Sequence, residues 1–263
     1  AELGLRIFEH GFKAHYVPES YGKGLIPDTF LDLKKQRFRW AYGAVLILRQ
    51  HVAAFFSFRN NQLTVAQRYH FLAGWLPWFA DGINLLFTLG AVLWTLLMII
   101  YPDNFAPPEI LFSVLPLSFF VFKVLKILVL YRWRVRASLV QSLAAGIAGL
   151  ALSHTIARAM LAGLVTSKIG FFRTPKRAKA NRLLAALNAV REEGLMMLVL
   201  LLGSITILYR SDGDLLDTRV WSLALGVQAI GYGAAVLMAL ISAMPGLRSD
   251  WVGISNRGSV SPG

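Results

Sequence analysis

Hydrophobic and polar positions change their arrangement twice along the chain. Through residue 70 they are mixed: Glu2, Arg6, Glu9 and Lys13 interleave with Leu3, Leu5, Ile7 and Phe8. This spacing predicts a short helix closed by Gly11, and Lys13 to Val17 predicts a strand ended by Pro18. A loop punctuated by glycine and proline follows from Gly22 to Pro27. From Thr29 the period turns helical, with Phe30, Leu33, Phe38, Trp40, Val45 and Leu48 among Asp32, Lys34, Lys35, Arg37, Arg39 and Arg49. Such an amphipathic, strongly basic helix, or two in series, suits a membrane interface.

After Arg68 the alternation gives way to long apolar runs. Gly82 to Pro102 holds 21 residues without a charge, enough at 1.5 Å per residue to cross a hydrocarbon core of ~30 Å. Three more spans are predicted over Ile110–Tyr131, Glu193–Tyr209 and Val220–Leu247; the last is free of charge over 28 residues. Lys123 and Lys126 fall near the end of the second span, where they can snorkel. Ala137 to Ala157 is also uncharged over 21 residues, but is rich in Ala, Gly and Ser.

Composition agrees with a membrane protein: 56% of the 263 residues are hydrophobic and 16% charged, with mean hydropathy +0.55. The charge is lopsided, 27 Lys and Arg against 14 Asp and Glu. Because a charge at the centre of hydrocarbon costs about 3 kcal/mol or more, the excess belongs outside the bilayer. Residues 123–136 carry five Lys/Arg and residues 166–192 carry seven, whereas the 102–109 connection has none. The preference of cytoplasmic loops for Lys and Arg then places 137–165 in the interface, leaving four spans with both chain ends cytoplasmic. The absence of cysteine excludes disulfides, thiolate metal sites and a cysteine nucleophile.

The sharpest chemical signal is Gln36-Arg37-Phe38-Arg39-Trp40. On a helix Gln36, Arg39 and Trp40 stand at i, i+3 and i+4, so an amide, a guanidinium and an indole share a face. Arginine matches phosphate oxygens with its planar fork, and an indole offers a sugar ring a flat apolar surface. The competing reading is an interface helix in which Trp anchors and Arg snorkels.

QRFRW resembles the Q-(Q/R)-x-R-W signature of processive family 2 glycosyltransferases, the group of cellulose, hyaluronan, chitin and curdlan synthases. Ala1-Glu2-Leu3-Gly4-Leu5-Arg6 is similar to the sequence after that family's catalytic-base motif, and Gly24 to Phe30 to the loop before its interface helix. Phe171-Phe172-Arg173-Thr174-Pro175-Lys176 resembles its F-x-V-T-x-K gating loop. Departures occur at Arg173, in place of Val, and at Leu46, where many relatives have Gln. The wording of these segments is most similar to bacterial β-1,3-glucan synthases.

The resemblance implies a mainly α, multi-pass membrane protein with interfacial amphipathic helices, preceded by the C-terminal end of a GT-A-like α/β catalytic domain. Its expected parts are the end of that domain (1–35), an interface helix (36–70), two spans (71–131), a second interface helix (132–166), a gating-type loop (167–191), two more spans (192–247) and a tail (248–263). It further implies that Gln36 and Arg39 contact a nucleotide pyrophosphate, with Arg37 in support. Trp40 would stack on the acceptor sugar, and Phe172, Thr174 and Lys176 would form the gating loop. The implied reaction is inverting hexosyl transfer, from UDP-glucose to a growing β-glucan that is exported, in a bacterial inner membrane. The partners are a UDP-sugar donor, the polysaccharide acceptor and the lipid bilayer, with no nucleic acid. The catalytic base and the site for Mg2+ or Mn2+ are expected upstream of Ala1, so residues 1–263 alone are expected to be inactive. Two other classes stay open: transfer of a single sugar to a lipid carrier, and a non-enzymatic transport or anchoring module. Asp212-Gly213-Asp214 has D-x-D spacing but reads as a solvated turn, and the five histidines read as surface or interface groups.

Overall fold

The computed structural model describes residues 1–15, 17, 19, 21, 22, 27, 29–57, 62–166, 182–210 and 216–244. These form nine α-helices and one π-turn, with no strand among the described residues. The helices are α1 (Glu2–Glu9), α2 (Phe30–Phe56), α3 (Val65–Ile100), α4 (Ile110–Val129), α5 (Leu139–Ala151), α6 (Ser153–Val165), α7 (Arg182–Ala189), α8 (Arg191–Arg210) and α9 (Leu216–Ala243). The π-turn, Leu130–Arg134, continues α4.

Four of these elements are long and apolar enough to cross a membrane: α3, α4 with its π-turn, α8 and α9. The protein is therefore a mainly α chain built for several membrane passages. The ambiguous 137–165 stretch breaks at Leu152 into α5 and α6, each of 13 residues. At ~20 Å neither is long enough to span alone.

Two sequence expectations about the start of the chain fare differently. The first helix ends as predicted: Gly11 has φ +81°, its N–H donates to Phe8 O at 2.9 Å, and Phe12 N–H donates to Ile7 O at 3.2 Å. These are the paired bonds of a Schellman cap, whose left-handed residue is favourable for glycine. The strand expected over Lys13–Val17 does not form: Lys13, Ala14, His15 and Val17 lack regular structure and are exposed. A single run of alternating residues has no ladder partner among the described residues, and an unpaired strand leaves its backbone groups to water.

The chain divides into two compact units. One comprises Ala1–Asp28, Leu33–Phe105 and Leu152–Thr174; the other comprises Thr29–Asp32, Ala106–Ala151 and Pro175–Gly263. In the first, Leu5 of α1 is buried with Ala44 and Phe55 of α2, Leu63, and Trp75 of α3. The rings lock this core edge to face: Phe55 and Trp75 centroids are 5.9 Å apart at 87°, and Phe8 and Phe71 are 6.3 Å apart at 70°. Thr64 and Gln67 start α3 with a reciprocal capping box, Gln67 N–H to Thr64 Oγ1 at 3.2 Å and Thr64 N–H to Gln67 Oε1 at 2.9 Å. Arg68, buried beside it, donates to the carbonyls of Leu63 and Ala54 and so satisfies the chain where α2 ends. In the second unit α8 and α9 pair closely: Ser204 Oγ donates to Ser222 O at 3.0 Å, and Ser222 Oγ donates to Ser204 O at 3.1 Å. Two small hydroxyls exchanging bonds with opposite backbones allow two apolar helices to associate where no water competes.

Candidate functional site

The predicted substrate-binding residues Gln36, Arg37, Arg39 and Trp40 stand on α2, a 27-residue helix. Thr29 starts it, accepting from Asp32 N–H at 3.2 Å while its hydroxyl donates to the Asp32 carboxylate at 2.8 Å. Gln36, Arg37 and Arg39 are half-buried, and Trp40 is 49% exposed. Arg37 and Trp40 stand one turn apart, and the guanidinium carbon lies 4.7 Å from the centre of the indole. An arginine over an indole is attracted by the ring's negative face. It lies over one face of the ring. Arg37 Nε is buried and has no hydrogen-bond partner among the described residues, whereas Arg39 does have partners. Phe38 and Tyr42 stack nearly parallel, their centroids 6.2 Å apart at 13°.

Further along α2, residues the sequence did not single out fix the helix in place. Tyr42, Val45 and Arg49 meet the C-terminal end of α6. Arg49 donates to Gly163 O at 2.6 Å and to Thr166 O at 3.0 Å, and Tyr42 Oη lies 3.2 Å from Thr166 Oγ1. The last carbonyls of a helix lack intrahelical partners and carry partial negative charge, so an arginine there satisfies both needs. The i, i+3, i+7 spacing of these three residues was visible, but not the helix end they would meet.

His51 sits where α2 kinks, with φ −109° and ψ 15°. Its Nδ1 is 3.1 Å from Glu9 Oε1 and its Nε2 is 3.8 Å from Glu2 Oε1, so two carboxylates of α1 flank the ring. Glu2 also accepts from Arg6 at 2.7 Å. That hydrogen bond, with the nearby charges of Arg6 and His51, holds the Glu2 carboxyl below its ordinary value of 4.5 against a smaller opposing effect of desolvation. No local pattern sets His51 apart from a surface or interface histidine, because Glu9 and Glu2 lie 42 and 49 positions away in sequence.

Among the described residues no group of three or more His, Asp or Glu could hold a metal ion. The described residues do not fit the divalent ion that the resemblance implies. Phe172, Thr174 and Lys176 of the expected gating loop, and Asp212 and Asp214, lie outside the described residues.

Residues 1–107 match the model of glycosyl transferase family group 2. The match supports a family 2 glycosyltransferase relationship for the segment that carries α1, α2 and α3, with every residue of the Gln36–Trp40 group inside it. It stops before α4 and does not extend to Phe171–Lys176. No curated protein and no solved structure matches the chain.

Proposed function

We propose that the chain is the membrane-embedded part of an inverting family 2 glycosyltransferase that elongates a β-linked glucan from UDP-glucose and exports it. The observation that carries this reading is the Arg37–Trp40 pair beside Gln36 and Arg39 on α2, within the segment that matches the family. In the reaction the acceptor hydroxyl attacks the anomeric carbon of glucose. The bond from that carbon to the diphosphate breaks, UDP departs, and the hydroxyl proton passes to a base.

Gln36 and Arg39 hold the diphosphate oxygens by amide and guanidinium donors, where negative charge grows as UDP leaves. Arg37 pins the Trp40 indole from one side. The open side stacks on the terminal sugar and presents its hydroxyl. Phe172, Thr174 and Lys176 would cover the nucleotide. The base and the ligands of Mg2+ or Mn2+ belong to residues other than those described. The apolar helices carry the growing chain across a bacterial plasma membrane, with both ends of this segment cytoplasmic.

Membrane vesicles bearing the intact protein, supplied with radiolabelled UDP-glucose, test the reading. An alkali-insoluble β-glucan digestible by a linkage-specific glucanase is expected. A lipid-extractable single-sugar product would replace it with a carrier-lipid transferase, and no labelled product would leave a transport or anchoring role. Trp40→Ala should abolish elongation while leaving UDP binding measurable; unchanged elongation would remove Trp40 from the acceptor site.

A further inference from the structure

The formal charge of +13 is held in one stretch. Residues 110–191 contain 13 Lys and Arg and no Asp or Glu, and the other 181 residues balance at 14 basic against 14 acidic. The described part of this stretch has a distinctive local structure at the end of α4. There the helix widens into the π-turn Leu130–Arg134, and Val135 N–H donates back to Leu130 O at 3.2 Å. The next residue, Arg136, takes φ +57°, and Ala137 N–H reaches back to Tyr131 O at 3.0 Å. Arg132 donates to Ala137 O at 3.2 Å and ties the turn together.

Arg136 thus fills the left-handed position after a helix, which is usually glycine because any Cβ is strained there. A charged side chain has been kept where glycine would relax the backbone. Strain of this kind persists where the side chain does something the backbone cannot, and π-turns concentrate at such places. Arg132, Arg134 and Arg136 are exposed, and Trp133 is 78% exposed. No carboxylate lies within this part of the sequence to neutralise them.

We propose that the π-turn Leu130–Arg134 with Arg136 is a docking site for the phosphate-bearing headgroups of anionic lipids. The location selects the ligand. In the most apolar stretch of α4 and its π-turn only 6% of the residues are buried, although α4 packs against α5 and α9, so much of its surface is left for hydrocarbon. Twenty residues from Ile110 at 1.5 Å each cover ~30 Å, the thickness of that layer, and bring the chain to Leu130. The three arginines therefore emerge at headgroup depth, with Trp133 at the boundary where indoles partition. Lys126 lies one turn before Leu130, on a stem that can snorkel toward the same level. Each basic group near an anionic surface strengthens its attraction about fivefold, the factor that corresponds to ~1 kcal/mol.

The test uses the intact protein in phosphatidylcholine vesicles that contain an equal share of either brominated phosphatidylglycerol or brominated phosphatidylcholine. Bromine quenches nearby indoles, and subtracting the signal of Trp133→Phe isolates this tryptophan from the six others of the chain. Quenching at Trp133 should be stronger with the anionic lipid, weaken as salt rises, and lose its preference in Arg134→Gln/Arg136→Gly. Arg136→Gly alone separates binding from folding. It should raise Tm by about 2 °C through relief of strain while reducing the lipid preference. Equal quenching by both lipids, or a preference that survives the double substitution, overturns the proposal. A fall in Tm for Arg136→Gly would show that Arg136 serves the fold, and would overturn it too. The readout is independent of sugar transfer, so it stands apart from the proposed function.

Discussion

Replacing Gly163 with alanine tests whether the close approach of α2 and α6 holds the site helix in position. A Cβ added at Gly163 would lie 2.9 Å from Val45 Cβ, 3.0 Å from Val45 Cγ1 and 3.4 Å from the Tyr42 carbonyl oxygen. Carbon atoms in contact prefer ~3.5–4.0 Å, so the helices must separate by roughly 0.5–1 Å. Val45 cannot yield by rotation, because the obstructing atom is its own branched Cβ. Overpacking of this kind costs about 1–3 kcal/mol, and separation also stretches the 2.6 Å bond from Arg49 to Gly163 O. Weakening that bond adds about 1 kcal/mol and alanine's better helix propensity returns about 1 kcal/mol, so a net loss of about 1–3 kcal/mol is expected. The assay is a double-mutant cycle with Val45→Gly, which removes the obstructing Cβ, read by thermal or SDS-induced unfolding in detergent micelles. Removing that Cβ opens the space, so the double variant should be more stable than the sum of the single effects by about 1 kcal/mol or more. Additivity within about 0.5 kcal/mol would show that the two residues do not press on each other and refute the packing argument.

Three further outcomes follow from the same contacts. Arg49→Met keeps the aliphatic stem but leaves the Gly163 and Thr166 carbonyls without their donor; a loss of about 1–3 kcal/mol is expected in the same unfolding assay, partly restored by Arg49→Lys. Glu2→Gln should flatten the acid limb of a stability profile. The Glu2 carboxyl is held below 4.5, so its contribution is full above that value and disappears as pH falls through its lowered pKa; Tm measured from pH 6 to pH 3 should therefore drop less in the variant. Arg37→Gln removes the cation from the Trp40 face; tryptophan emission should change at that position and elongation should fall about tenfold, whereas a response equal to that of an exposed arginine such as Arg134 would argue against the pairing.

The helices and the site residues were differently legible. Long apolar runs announced the four membrane-length elements because crossing hydrocarbon imposes length and apolarity on each segment by itself. Gly11 announced the end of α1, since a left-handed position has few occupants. The strand at Lys13–Val17 failed because alternation describes only one side of a ladder, and the partner must come from elsewhere. On α2, spacing and resemblance marked Gln36, Arg39 and Trp40 as candidates for a site. The Arg37–Trp40 contact was not legible, because i and i+3 neighbours can touch without being obliged to.

Sequence alone therefore determined what each segment could be: apolar enough to cross a membrane, basic enough to remain outside it, and equipped in QRFRW with groups suited to a diphosphate and a sugar. Only the tertiary structure decided which carbonyls Arg49 would cap and which carboxylates would flank His51. Composition and period act within a segment, where hydration and backbone geometry are local. A partner is set by packing between residues 40 to more than 100 positions apart, and no local pattern encodes that distance.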